Sequence, residues 1–200
     1  DNEREKRVFR KLMRFTAFFS FPALFGLSLV SQEFILLTIG EKWAECIPML
    51  QVLCIGGAFF AFNTMYQQLA ISSGRSDIYM WCNIVQIILQ IALILVSCNY
   101  GIFTMVIAYT VFSILWLGVW QWQAHRIIGL RLRDALSDTM PFMLSAAAVM
   151  VATYFITLPI RNLWLLFPLR IIIASALYFA IMKIANAEIL NECIRFVRKK

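Results

Sequence analysis

The chain has 200 residues, 62% of them hydrophobic and 14% charged, with a formal net charge of +7, and its mean hydropathy is +0.77. That balance excludes an ordinary soluble domain, in which about a quarter of the residues are charged, and points to an integral membrane protein. The basic excess does not call for nucleic acid, because positive charge gathered on one membrane face accounts for it.

Residues 1–14 form a basic segment with Arg4, Lys6, Arg7, Arg10, Lys11 and Arg14. The first residue is Asp1 rather than Met, which suggests a piece of something longer. Phe15–Gln32 carries no charge and is long enough to cross a bilayer, since one helical crossing needs about 20 apolar residues. A basic stretch before an apolar run also describes a signal peptide. This run, however, is long, lacks a clear small-residue cleavage site and precedes further crossings. Pro22 lies inside it and is expected to kink the helix.

Phe34–Ile39 is too short to span and is expected in the interface, with Trp43 at headgroup level. Glu33, Glu41 and Glu45 read as part of a solvated connection on the far side. Cys46–Ser72 is the second crossing, and Ser72–Asp77 a tight polar loop. Ile78–Ala124 contains no charged side chain and suits two crossings joined by a turn at Ser97–Gly101. Residues 15–124 thus hold four spans. Residues 125–139, with Arg126, Arg131 and Arg133, read as a cytoplasmic loop, and residues 140–183 as two more spans. Arg170 stands near one end of the last, where a long side chain reaches the headgroups. Residues 184–200 form an amphipathic basic tail expected on the membrane surface.

The fold class is therefore an all-α integral membrane protein of about six transmembrane helices. Six crossings put both ends on one side. Of the 18 Lys and Arg residues, all but Lys42, Arg161 and Arg170 then fall on that side, and the positive-inside rule makes it cytoplasmic. Deep within the spans there is no Asp, Glu, Lys or His, so no proton relay or ion-coupling carboxylate is expected there.

Cys46 and Cys98 both lie near the outer surface and can pair, although spacing alone does not show it. The lone His125 and the absence of CxxC spacing argue against a metal site. There is no GxSxG, no HExxH, no pair of acids set for acid and base work and no Gly-rich phosphate loop. No catalytic site, enzymatic activity or cofactor is expected.

Polar residues within the spans fall in stripes. Asn83, Gln86 and Gln90 share one face of crossing three. Crossing two contributes Gln51, Asn63, Gln67 and Gln68, with Gly56 and Gly57 allowing close helix approach, and crossing four adds Thr104, Tyr109, Thr110 and Ser113. Such groups turn away from lipid, and they either join helices or line a hydrated cavity for a polar solute.

A Pro-containing apolar helix is followed by Phe34–Trp43, closing in Gly40-Glu41-Lys42-Trp43. Then come a long helix ending in Gln67–Ser72, the stretch Ser73-Gly74-Arg75-Ser76-Asp77, an Asn-bearing helix at Asn83 and the turn Asn99-Tyr100-Gly101. In order and spacing this set resembles the polysaccharide flippases, the Wzx-type exporters of the superfamily that includes MATE drug exporters and lipid II flippases. Such proteins have about twelve to fourteen crossings in two related lobes, often with an appended helix pair. The resemblance implies that residues 15–124 are the last four helices of the second lobe and residues 140–183 the appended pair, the earlier part of the flippase being absent.

What the resemblance implies for function is export of a lipid-linked oligosaccharide across a bacterial inner membrane, by alternating access, for cell-surface polysaccharide. The bilayer and the lipid-linked oligosaccharide are the implied partners, with other polysaccharide-assembly proteins beside them. Asn63, Gln67, Asn83, Gln86 and Gln90 are the implied cavity residues, and Arg75 at the cytoplasmic mouth the one that attracts pyrophosphate or simply anchors the loop. The alternatives are a MATE-like exporter of small molecules, which a buried carboxylate would favour, and a non-catalytic membrane scaffold of a glycan-assembly complex.

Overall fold

The computed structural model describes residues 2–160 and 162–184. These form helices α1 (Asn2–Leu29), α2 (Ser31–Thr38), α3 (Ile47–Ser72), α4 (Ser76–Ser97), α5 (Ile102–Ile128), α6 (Leu132–Thr157) and α7 (Leu163–Ile184), with short 3-10 turns at Glu41–Cys46 and Cys98–Tyr100. Among the described residues there is no strand. Six of the helices, all but α2, are long and apolar enough to cross a membrane, as the composition implies. Only 11% to 28% of each apolar window is buried inside the protein. Most of that surface therefore faces outward, where hydrocarbon suits it and each helix satisfies its own backbone.

α1 is the centre of the assembly. It packs between α3 and α6; α5 lies on α3, α4 on α5, α7 on α6, and α2 on α7. Side-chain bonds fix the directions. Thr16 donates to Met65 Sδ, Ser20 to the Ala58 carbonyl and Ser28 to the Gln51 carbonyl, so α3 runs antiparallel to α1. Arg10 meets Asp138, and Phe18 meets Phe142 edge-on, so α6 runs parallel to it. Below, the end of α1 that bears Arg10 is called the basic end, and the end at Leu29 the far end.

Two local choices set this packing. A Cβ placed on Gly56 would stand 2.7 Å from Thr110 Cγ2, so only glycine lets α3 and α5 approach this closely. Gly56→Val is expected to force the two helices apart and lower stability by about 1–3 kcal/mol, read as a lower unfolding temperature in detergent. Pro22, which has no N–H, leaves the Phe18 carbonyl without its main-chain donor. The Tyr178 hydroxyl of α7 donates to that carbonyl at 3.1 Å, a repair of the kind neighbouring helices provide in membranes.

Of the short apolar piece expected in the interface, Phe34–Thr38 belong to α2, and Trp43 beyond it is exposed. The basic segment 1–14 is helical from Asn2 and continuous with α1. The expected loop at 125–139 is instead almost wholly helical: only Gly129, Leu130 and Arg131 separate α5 from α6. Its charges do not prevent a helix because they alternate with inward residues such as Ala135. Gly129 takes the left-handed conformation (φ 67°) that ends α5, which an L side chain adopts only under strain. Cys46 and Cys98 are free thiols. The surface tail expected over 184–200 lies, after Ile184, outside the described residues, as does Arg161.

Candidate functional site

α3 has two working faces. One, with Gly56, Asn63 and Tyr66, is turned to α5. The Tyr66 hydroxyl donates to Gln121 Oε1 at 2.5 Å, and Gln121 Nε2 donates to the Leu130 carbonyl at 3.0 Å, which ties α3, α5 and the α5–α6 link together inside the protein. The other face, Ala61, Thr64, Met65, Gln68, Leu69 and Ser72, follows the three-and-four spacing of one helical stripe. Against α1 it forms an open groove of about 760 Å³.

That groove is amphipathic. Thr16 of α1 and Thr64, Gln68 and Ser72 of α3 give it a line of polar groups, Val8, Phe9 and Leu12 give it an apolar wall, and Arg4 with Glu5 stands at its mouth on the basic end. Thr64 and Ser72 donate to carbonyls of their own helix, at 3.3 and 3.1 Å, so neither leaves an orphan donor against lipid. Gln68 is exposed and has no hydrogen-bond partner among the described residues. A helix that offers an amide and two hydroxyls along one apolar groove can meet a polyhydroxylated solute or a lipid headgroup.

None of the six residues singled out from sequence lines this groove. Asn63 is buried against α5, its Nδ2 donating to the Ser113 carbonyl at 3.4 Å while Oδ1 has no partner among the described residues. Asn83 donates to the Tyr79 carbonyl of its own helix at 2.8 Å. Gln86 stands one turn beyond Cys82 on the same face of α4, and its Oε1 is buried without a partner among the described residues. Gln67 and Gln90 are half-buried, and Arg75 is exposed at the basic end between α3 and α4. The groove's own signal was the 61, 64, 65, 68, 69, 72 spacing, in which Gln68 falls and Gln67 does not.

Buried charge is present near both ends of the bundle: Glu33 in the short helix α2, Arg170 in α7 and Asp138 near the start of α6. Glu33 is 2% exposed and Arg170 7%. Arg170 Nη1 donates to Glu33 Oε1 at 2.7 Å and to the Leu29 carbonyl at 3.2 Å, and its Nε donates to Thr157 Oγ1 at 3.1 Å. Glu33 is thus not in a solvated connection, nor does Arg170 reach headgroups. The guanidinium sits over the last carbonyls of α1, where cations are favoured, and the pair neutralises both charges away from water. Glu33 Oε2 is buried without a partner among the described residues. At the basic end Asp138, 4% exposed, accepts from Arg10 Nε at 2.6 Å and Nη2 at 3.1 Å, and from Arg14 Nε at 2.7 Å. Lys6 lies 3.7 Å from Asp134 one turn earlier on α6. Among the described residues no three His, Cys, Asp or Glu side chains converge as a metal site.

Fold and charge layout define a multi-pass α-helical membrane protein with a groove of mixed polarity. Its similarities lie with proteins of polysaccharide biosynthesis. The family described as "Polysaccharide biosynthesis protein" matches residues 1–48. The lipopolysaccharide biosynthesis protein WzxC of Escherichia coli K12 is 35% identical over 97 residues, 48% of this chain and 20% of the relative. An uncharacterized membrane protein in the cps region of Klebsiella pneumoniae is 34% identical over 97 residues, with the same coverage of each chain. The teichuronic acid biosynthesis protein TuaB of Bacillus subtilis 168 is 27% identical over 154 residues, 76% of this chain and 32% of the relative. The chain spans between a fifth and a third of the length of these relatives. No solved structure matches it. Together the matches support the Wzx-type polysaccharide flippase family, the one the sequence resembles.

Proposed function

We propose that this chain forms part of an exporter that moves a lipid-linked oligosaccharide from one leaflet of a bacterial inner membrane to the other, for cell-surface polysaccharide. It would work by alternating access and without catalysing a covalent step. The observation that carries this reading is the groove between α1 and α3, read beside relatives whose names place them in lipopolysaccharide and teichuronic acid synthesis. A polar line within an apolar wall suits a substrate whose sugar head must cross hydrocarbon while its lipid stays in it. Residues 15–124 then belong to a transport lobe and residues 140–183 to an appended pair. The concentration of basic residues at one end supports a cytoplasmic location for that end. Arg75 there draws in the anionic headgroup. The unsatisfied oxygens of Asn63 and Gln86 support a hydrated interior beside α3 and α4.

A small-molecule exporter is the second reading, and Glu33 is the buried carboxylate that favours it. Its charge is matched by Arg170, and it does not line the groove, so the glycan reading stands ahead.

The test is export in a strain whose own exporter gene is deleted, complemented with the native protein. Surface polysaccharide is expected to return with the unsubstituted protein. With Thr64→Val and Gln68→Leu combined it is expected to fall about thirtyfold at equal protein level, each of the two lost hydrogen bonds being worth about 1 kcal/mol. Full export by that variant would remove the groove from the substrate path. Failure of the unsubstituted protein to restore polymer, with lipid-linked intermediate turning over normally, would remove the exporter reading itself.

A further inference from the structure

The contacts of α6 and α7 with the rest of the protein do not fall at random along α1. At the basic end Asp138 of α6 is held by Arg10 and Arg14 of α1. At mid-depth Tyr178 of α7 is bonded to the Phe18 carbonyl of α1. At the far end the Arg170 guanidinium of α7 joins Glu33 of α2, the Leu29 carbonyl of α1 and Thr157 of α6. From residue 10 to residue 29 these attachments extend along roughly 28 Å of helix, near the thickness of a bilayer core. The start of α6 has a further tie, since the Leu130 carbonyl before it accepts from Gln121 of α5.

We infer that α6 and α7 are a fixed buttress, fastened at both membrane faces to the unit formed by α1, α2, α3 and α5, and that they do not swing as a lid or gate. Tilting the pair about one attachment breaks another near the opposite face. Rolling it about α1 breaks the Glu33 bond, because Glu33 belongs to α2, which also packs on α3. The far-end attachment is the firmer: Glu33 and Arg170 are both buried, whereas Arg10 and Arg14 are about a third exposed and exchange readily with water. The inference goes beyond the exporter reading and does not depend on what is carried.

Distances between spin labels test it in the native protein held in lipid nanodiscs, with the native cysteines replaced. One label pair is Trp164→Cys with Leu53→Cys at the far end. The other is Leu136→Cys with Ile71→Cys at the basic end; all four positions are exposed. Each pair is expected to give one narrow distance distribution. Adding Arg170→Glu, which sets two carboxylates against each other, is expected to widen the far-end distribution at least twofold and leave the basic-end one narrow. The exchange Glu33→Arg with Arg170→Glu should narrow it again. A broad or two-peaked far-end distribution in the unsubstituted protein would overturn the inference, as would a narrow one in the Arg170→Glu protein. If Arg170→Glu does not fold, the unsubstituted distributions decide the matter alone.

Discussion

Arg170→Leu is expected to lower the stability of the folded chain by about 3–5 kcal/mol, the cost of leaving a buried charge without its partner. The change removes the three hydrogen bonds that the guanidinium makes among the described residues, and Glu33, with Oε2 already unsatisfied there, loses the only partner of Oε1 among them. The double substitution Glu33→Leu with Arg170→Leu is expected to recover most of the loss, because two apolar side chains in that site leave no charge behind. Thermal unfolding in detergent, followed by circular dichroism, reads both. Equal losses in the single and double variants would show that packing by the arginine, and not its charge, matters at this site.

The second large effect is expected at Asp138. Asp138→Leu puts an apolar residue where two arginines converge, and its expected cost is up to about 3–5 kcal/mol. The figure is an upper bound, because Arg10 and Arg14 are about a third exposed and recover part of their hydration. Asp138→Asn keeps an acceptor and is expected to lose less than half as much. Limited proteolysis near the α5–α6 link separates the two: cleavage after Arg131 or Arg133 should rise sharply in the leucine variant and only slightly in the asparagine one. Unchanged cleavage in both would mean that the ion cluster does not hold the start of α6.

Much of the architecture was legible from hydropathy alone. Six apolar runs of spanning length, the short element before Trp43 and the turn near Gly101 follow from run length and from where small or polar residues interrupt it. The partners of the buried charges were not legible, because they are set by contacts between elements far apart in the chain. Glu33 sits beside Gln32 and a few residues before Gly40 and Glu41, and in one dimension it looks like its solvated neighbours. Only the arrival of α7, 137 residues on, makes it an interior group. Residues 132–139 misled for a related reason. A run with Arg133, Asp134 and Asp138 looks like a loop until one sees that α1 offers arginines at the same depth. For the groove, both Gln67 and Gln68 were visible, but which of two adjacent amides faces α1 depends on helix phase. Phase is fixed by Tyr66 and Gly56 on the opposite face.

The bond from Tyr178 to the Phe18 carbonyl has a consequence of its own. Apolar helices in lipid slide past one another easily, since one turn of leucine and phenylalanine resembles the next and no solvent penalises the slip. The gap left by Pro22 breaks that degeneracy: it marks one level on α1 with a hungry acceptor, and a single tyrosine on α7 reads the mark. A shift by one turn, about 5.4 Å, would strand both groups in hydrocarbon. The proline thus works as an index notch, letting two otherwise featureless surfaces recognise their proper depth.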